Sequence, residues 1–159
     1  SLKNCFIFCM FKLKDILLEV VSYNTWVVPD EDTLRREFKV EHEYKGLNLF
    51  NDVEDFLTKV KNSKITSISK SDDMSIINRS RTQNFDSLLN LISSYASYPK
   101  YRNEDTLRDL YKKMEENKEL DFPIVLQYPD GRRRIFSGNT RMDVAFQLGI
   151  TPKVILVNV

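Results

Sequence analysis

Two apolar stretches joined by a short turn constrain the fold of this chain most. The first, "FPIVLQY", is typical of a β-strand, and the second, "RRRIFS", can return beside it. Between them, Pro129-Asp130-Gly131 favours a hairpin turn, because glycine adopts a positive φ without strain. The sequence therefore predicts an antiparallel hairpin.

A helix and a closing strand are predicted after this hairpin. The segment "TRMDVAFQL" has the character of a helix, and Gly149 with Pro152 beyond it gives a common way for a helix to end. The segment "KVILVNV" is apolar and rich in β-branched residues, which is typical of a strand buried on both faces. We expect these strands to form a small mixed sheet.

Upstream, apolar residues recur at helical spacing in several segments. The predicted helices are "FKLKDILLEVV", a helix entered near Asp30, "FNDVEDFLTKVKN", a helix from about Phe85 and a helix capped by Asn103. "KITSIS" alternates like a short strand. The fold class is therefore α+β, with a helical N-terminal extension over residues 1–63 and a sheet with surrounding helices over residues 64–159.

Residues 1–9 leave two interpretations open. The apolar run Cys5–Phe11 is much shorter than the roughly 18 residues that a membrane span needs, and no small-residue cleavage site follows it. Met10 is followed at once by the first amphipathic segment. Residues 1–9 are therefore either native or a vector remnant with translated upstream sequence.

Composition bounds the partners and the compartment. The chain has 159 residues, and a formal net charge of +1 gives no general attraction to nucleic acid or to a membrane surface. Binding of DNA would require a local basic patch. Cys5 and Cys9 are too few for a disulfide framework or a four-cysteine metal site, which favours a reducing compartment. We expect a cytoplasmic protein with no membrane partner; the oligomeric state is not predicted.

The polar run Ser137-Gly138-Asn139-Thr140-Arg141 lies where the hairpin ends and the next helix begins. The first turn of a helix carries N–H groups without intrahelical partners, and the helix dipole adds partial positive charge there. A hydroxyl, a glycine and a guanidinium at such a place predict a cradle for phosphate.

Each residue of this loop has a predicted part in that cradle. Gly138 would let a ligand approach the backbone, and Asn139 or Thr140 would cap the helix. Thr140 with Asp143 resembles a capping box in which aspartate replaces glutamate. Arg141 has the wrong charge for the first turn, which predicts an anionic partner and little contribution to stability.

An ordinary strand-to-helix turn is the alternative. In that interpretation the loop binds nothing, and a carboxylate such as that of Asp143 or Glu104 satisfies Arg141. The sequence alone leaves both interpretations open.

The order of these elements resembles the ParB/sulfiredoxin superfamily. ParB proteins carry Gly-Glu-Arg-Arg-x-x-Ala-Ala at the start of this helix, and sulfiredoxins carry Gly-Cys-His-Arg; in both, the box holds nucleotide phosphates. Gly138, Arg141 and Ala145 match the ParB pattern, whereas Asn139 replaces its glutamate and Thr140 its first arginine. The similarity covers about residues 64–159, and "INRSRT", residues 77–82, is a weaker match to the first ParB box. The "GNTRMD" variant resembles ParB-like proteins of tailed phages, which implies the host cytoplasm.

The resemblance implies a domain that binds a nucleotide or phosphate, with or without weak NTP hydrolase or phosphotransferase activity. Asn139 stands where sulfiredoxins have their cysteine, which excludes sulfinate repair. Magnesium would accompany the nucleotide, held by its phosphates and one carboxylate, and no other cofactor is expected. The candidate carboxylates are those of Glu104, Glu119 and Asp143.

Arginines outside the loop supply a second candidate surface. Arg132 and Arg134 share one face of the hairpin, and further phosphate or DNA contacts could come from Arg79, Arg81 and Arg102. They keep open a DNA-associated, non-catalytic module as the alternative function. A solvated hairpin, or a protein-interaction domain with an empty loop, fits the same residues.

Acid–base machinery is sparse. His42, the one histidine, lies in the charged run "VEHEYKG" and is predicted to be a surface residue without a catalytic role. Glu119 and Asp121 are predicted to lie in a solvated loop before the strand that starts at Pro123.

Overall fold

The computed structural model describes residues 25–44, 46–74, 76 and 104–159. Within these ranges the chain is mixed α+β, with five helices and two small sheets, as the sequence predicts. The predicted helix from about Phe85, the cap at Asn103 and the segments before residue 25 lie outside the described residues.

The helices and strands follow in chain order. The helices are α1 (Glu31–Lys39), α2 (Val53–Lys61), α3 (Lys70–Met74), α4 (Glu104–Glu115) and α5 (Asn139–Gln147). A π-helical turn, Val40–Tyr44, continues α1. The strands are β1 (Trp26–Val27), β2 (Lys64–Ser67), β3 (Leu120–Asp121), β4 (Ile124–Gln127), β5 (Arg133–Ser137) and β6 (Lys153–Asn158). None of the helices in these ranges is long and apolar enough to cross a membrane.

The four-stranded sheet has the order β2-β6-β4-β5. β4 and β6 are parallel, whereas the β2–β6 and β4–β5 pairs are antiparallel. The hairpin between β4 and β5 is confirmed: the Tyr128 N–H donates to the Arg132 carbonyl at 2.9 Å, and Gly131 has a φ of 84°. In β6 the residues from Val154 to Val157 are all buried, so the prediction of a strand covered on both faces is also confirmed.

A smaller sheet pairs β1 with β3 in parallel. Trp26 lies opposite Leu120, and Val27 lies opposite Asp121. The prediction of a solvated loop is therefore wrong at Asp121. A two-residue strand is too short to show an alternating pattern in the sequence. Its formation also depends on a partner strand far along the chain, which local sequence does not reveal.

Helices α1 and α2 each begin after an aspartate that caps the helix, Asp30 and Asp52 respectively. The Asp30 carboxylate accepts a hydrogen bond from the Thr33 N–H at 2.7 Å, and the Asp52 carboxylate accepts one from the Asp55 N–H at 2.8 Å. Such caps satisfy donors that the helix itself cannot pair. The predicted helix entry near Asp30 is confirmed, and so is the predicted apolar face of α2, where Phe56, Leu57 and Val60 are buried.

Aromatic rings join these two helices to the sheet. The ring centroid of Phe56 lies 5.5 Å from that of Phe38, 5.1 Å from that of Phe50 and 4.9 Å from that of Phe136. Phe38 belongs to α1, Phe56 to α2 and Phe136 to β5. This cluster holds α1 beside the end of β5, where the polar loop begins.

Helix α5 is buried by the sheet on one side and by α4 on the other. Met142 packs with sheet residues such as Val125, whereas Val144 and Ala145 pack with Leu107 and Met114 of α4. Gly149, with a φ of 72°, follows the helix as predicted. Packing of Met142, Val144 and Ala145 therefore fixes α5 against the sheet and α4.

Truncation of Phe56 is expected to destabilise the fold strongly, because its fully buried ring contacts both helices and the sheet. We predict that Phe56→Ala lowers the free energy of unfolding by about 3–5 kcal/mol in urea denaturation. The matched control is Val28→Ala, at a residue that is 55% exposed, with an expected change within about 0.5 kcal/mol. A loss below about 1 kcal/mol for Phe56→Ala would contradict this packing.

Candidate functional site

The loop between β5 and α5 turns at Gly138. Gly138 has a φ of +95° and is the N-cap residue of α5, and its carbonyl accepts the Met142 N–H at 3.0 Å. Asn139 and Thr140 therefore lie inside the first helical turn. The prediction that one of them caps the helix, and that Thr140 forms a capping box with Asp143, is wrong, because the left-handed glycine starts the helix earlier.

Glycine at position 138 is required by packing inside the protein. A Cβ atom added there would lie 2.6 Å from the Cβ and 2.8 Å from the Cα of Pro123. These distances are too short for any side chain, and the φ of Gly138 is unfavourable for other residues. The sequence analysis predicted that a ligand approaches the backbone at Gly138. On the side where a Cβ would project, Pro123 makes that approach instead.

The guanidinium of Arg141 turns toward the protein interior. Its Nη1 donates to the carbonyl oxygen of Asp121 at 2.8 Å, and its Nη2 donates to the Ser137 hydroxyl at 3.1 Å. Nη2 also lies 3.9 Å from Oε1 of Glu37, and only 16% of the Arg141 side chain is exposed. Arg141 thus connects β3, β5 and α1 to the first turn of α5.

Burial lowers the pKa of Arg141 from its ordinary value, whereas the carboxylates of Glu37 and Asp121 act in the opposite direction. An arginine starts from so high a pKa that it stays charged at neutral pH. The site therefore contains a fixed, largely desolvated positive charge.

These contacts change the expectation for stability. The sequence predicted an arginine that adds little to the fold, yet Arg141 has three partners inside the protein. Glu104, one predicted internal partner, pairs with Arg108 at 2.6 Å instead. Sequence reasoning missed Glu37, since nothing in the pattern of α1 shows that this helix packs beside the loop.

The five predicted loop residues line one cleft. This cleft, here called the loop lobe, has a volume of about 310 Å³ and is also lined by Glu41, Ile135 and Phe136. A second cavity of about 270 Å³, here called the acidic lobe, shares Ser137, Phe136 and Glu41 with it. The remaining lining residues of the acidic lobe are Arg36, Glu37 and Val40. The two lobes are neighbouring cavities with three shared lining residues, and together they are the candidate site.

Glu37 and Glu41 are the acidic site residues that the sequence analysis did not identify. They are four residues apart, a spacing that places two side chains on the same side of a helix. Glu41 is buried and lies in the π-helical turn that follows α1, a rare geometry often found at functional sites. The four-residue spacing was visible in the sequence, but the direction of that face was not.

The hairpin arginines lie outside this cleft. Arg132 pairs with Asp130 at 2.5 Å, and its guanidinium lies 5.8 Å from the ring centroid of Tyr128. Arg134 is half-buried and lines neither lobe. Their predicted contacts with phosphate or DNA stay predictions. The other predicted basic residues, Arg79, Arg81 and Arg102, lie outside the described residues.

The candidate magnesium ligands are not gathered at the cleft. Glu104, Glu119 and Asp143 line neither lobe. In the ranges that the structure describes, no three His, Cys, Asp or Glu side chains are grouped to bind a metal.

His42 packs against the core instead of projecting from the surface as predicted. Its ring stacks on that of Phe38 with a centroid distance of 4.8 Å and an interplanar angle of 16°. The side chain is half-buried and lines neither lobe. His42 therefore has a packing role beside the π-helical turn.

The sequence matches no family model and no curated protein, and no solved structure matches the fold. The ParB/sulfiredoxin resemblance therefore stays a prediction that depends on the loop motif. The α+β class and the geometry of the cleft are what the structure supports.

Arg141→Ala is expected to lower the free energy of unfolding by about 1–3 kcal/mol, because it leaves buried acceptors without their donor. Chemical denaturation measures this loss. Arg132→Ala is the matched control: its ion pair with Asp130 is exposed, so the change should stay within about 1 kcal/mol. Equal effects of the two substitutions would contradict the anchoring role of Arg141.

Proposed function

We propose that the loop lobe binds the phosphate group of a nucleotide at the first turn of α5. The observation that carries this proposal is the lining of one cleft by five consecutive residues, Ser137–Arg141, at a helix N-terminus with a buried cation beside it. A helix start and a guanidinium both favour a bound anion.

The helix start supplies the donors. The N-cap residue is a glycine, so its position provides no side-chain oxygen to accept hydrogen bonds from the first-turn amides. The backbone N–H of Thr140 and the positive end of the dipole are then suited to a phosphate oxygen. The Thr140 hydroxyl adds a donor at the same place.

Arg141 supplies charge that is positioned before the ligand arrives. Its contacts with Asp121 and Ser137 fix the guanidinium, so binding costs little side-chain entropy. The Ser137 hydroxyl accepts from Arg141, which leaves its own hydrogen available to a ligand oxygen. These roles make the loop a preorganised anion site.

Binding is proposed ahead of catalysis. Among the described lining residues, the groups able to transfer a proton or act as a nucleophile are the carboxylates of Glu37 and Glu41 and the hydroxyls of Ser137 and Thr140. The structure assigns none of them a catalytic role, whereas the helix start and Arg141 both favour a bound anion. A nucleotide would bring its own magnesium, which keeps several of its waters. Weak NTP hydrolase or phosphotransferase activity belongs to the resemblance with ParB proteins and stays an expectation.

Thr140→Asp separates binding from folding. A negative charge in the first helical turn interacts favourably with the dipole, so the free energy of unfolding should stay constant or rise by about 0.3–1 kcal/mol. The same charge repels phosphate, and we predict at least a roughly tenfold loss of affinity for nucleoside 5′-monophosphates in calorimetric titration.

Thr140→Asn, which is neutral and of similar size, is the control and should retain most of the affinity. Unchanged affinity in Thr140→Asp would show that the phosphate does not lie at the start of α5. If the wild-type protein binds neither nucleotides nor inorganic phosphate, the loop is an ordinary strand-to-helix turn.

A further inference from the structure

The tip of the β4–β5 hairpin brings a chemically reactive pair of residues to the surface. Asp130-Gly131 is the one Asp-Gly pair in the sequence, and the Asp130 side chain is 51% exposed. An aspartate before a glycine is prone to cyclise, because glycine has no Cβ to shield the backbone nitrogen that the carboxyl group must reach. The pair is also accessible to water, which the later steps of this chemistry need.

The reaction of such a pair is the formation of a succinimide. The Gly131 nitrogen attacks the side-chain carbonyl carbon of the protonated Asp130 carboxyl group, so that a C–N bond forms and a C–O bond breaks. The hydroxyl group leaves as water, together with the hydrogen of the amide. Water then opens the ring at one of its two carbonyl groups, which gives either aspartate or isoaspartate. In isoaspartate the main chain runs through Cβ, so the backbone of the hairpin gains one atom.

Hydrogen bonds in the turn oppose this attack at both reacting groups. The Gly131 N–H donates to the Tyr128 carbonyl at 2.9 Å, which keeps the nitrogen in the turn. Oδ1 of Asp130 accepts from the Arg132 N–H at 3.0 Å, and Oδ2 accepts from the Arg132 Nε–H at 2.5 Å. Cyclisation must therefore break contacts of the nitrogen and of the carboxylate together.

Arg132 also favours the unreactive form of the carboxyl group. An ionised carboxylate is a poor electrophile, because the departing oxygen must carry a proton. Hydrogen bonds from the backbone and the side chain of Arg132 lower the pKa of Asp130, which reduces the protonated fraction at neutral pH. The Arg132 guanidinium lies 5.8 Å from the ring centroid of Tyr128, a contact that helps to hold it at the turn.

We propose that Asp130 is a site of isoaspartate formation and that the Arg132 side chain controls its rate in the folded protein. Removal of the guanidinium leaves the carboxylate with the hydrogen bond to the Arg132 N–H alone, so that it turns toward the Gly131 nitrogen more often. This modification site is separate from the proposed phosphate site and does not depend on it.

The test follows isoaspartate in purified protein that is aged at neutral pH. Peptide mapping by mass spectrometry, combined with an isoaspartate-specific methyltransferase, locates and quantifies the modified residue. Arg132→Ala should accumulate isoaspartate at Asp130 about two- to fivefold faster than the wild type, as the loss of one exposed ion pair implies. Arg132→Gln, which removes the charge and keeps most of the side-chain length, should also react faster.

Two control variants and an unfolded reference complete the experiment. Arg134→Ala removes an arginine from the same hairpin but keeps both contacts of Asp130, so its rate should equal that of the wild type. Asp130→Glu should abolish the signal, because the larger ring forms far more slowly. Wild-type protein unfolded in urea should react at least about tenfold faster than the folded protein, since the turn and the ion pair are both lost.

Each outcome supports or overturns a stated part of the proposal. Thermal denaturation confirms that each variant is folded under the ageing conditions. Equal rates in Arg132→Ala, Arg132→Gln and Arg134→Ala would overturn control by Arg132. A folded wild type that reacts as fast as the unfolded chain would overturn restraint by the turn, and absence of isoaspartate at Asp130 in the unfolded chain would overturn the site itself.

Discussion

The buried guanidinium of Arg141 is the contact on which the candidate site depends. It donates to Asp121 of the small sheet and to Ser137 at the end of β5, and it approaches Glu37 of α1. A largely desolvated cation needs such partners, because burial without them would cost several kcal/mol. The Arg141 side chain therefore fixes the start of α5 relative to β3, β5 and α1. In the proposed function, the same charge also attracts an anion bound at the start of α5.

Gly138 complements this anchor through its backbone. Its left-handed φ ends β5 and starts α5, and its missing side chain allows Pro123 to pack at a distance that any Cβ would prevent. Arginine and glycine are often assigned to ligand contact when they occur in a strand-to-helix loop. Here both have structural partners, and their joint effect is to present the first turn of α5 to the cleft in a fixed orientation. Glu37 of α1 and Glu41 of the π-helical turn that follows it line the neighbouring acidic lobe.

Local patterns of the sequence predicted the parts of the fold that local physics controls. The hairpin at Gly131, the helix entry at Asp30 and the apolar face of α2 depend on neighbouring residues, and they are where the sequence placed them. The loop residues from Ser137 to Arg141 do line one cleft. Three features could not be predicted: the direction of the Arg141 side chain, the pairing of β1 with β3, and the position of Glu37 and Glu41 beside the loop. Each depends on contacts between segments that are distant in the chain. The helix start was misplaced by one or two residues, since the φ of Gly138 decides it.

The central claim is that a phosphate lies at the start of α5 beside Arg141. A nuclear magnetic resonance titration with inorganic phosphate tests it most directly, because it reports on individual amides. The account predicts saturable shifts of the backbone N–H signals of Thr140 and Arg141 and of the Arg141 side-chain Nε–H, with little change at Arg132 and Arg134. Shifts confined to the hairpin arginines, or no saturable shift in the loop, would contradict the account.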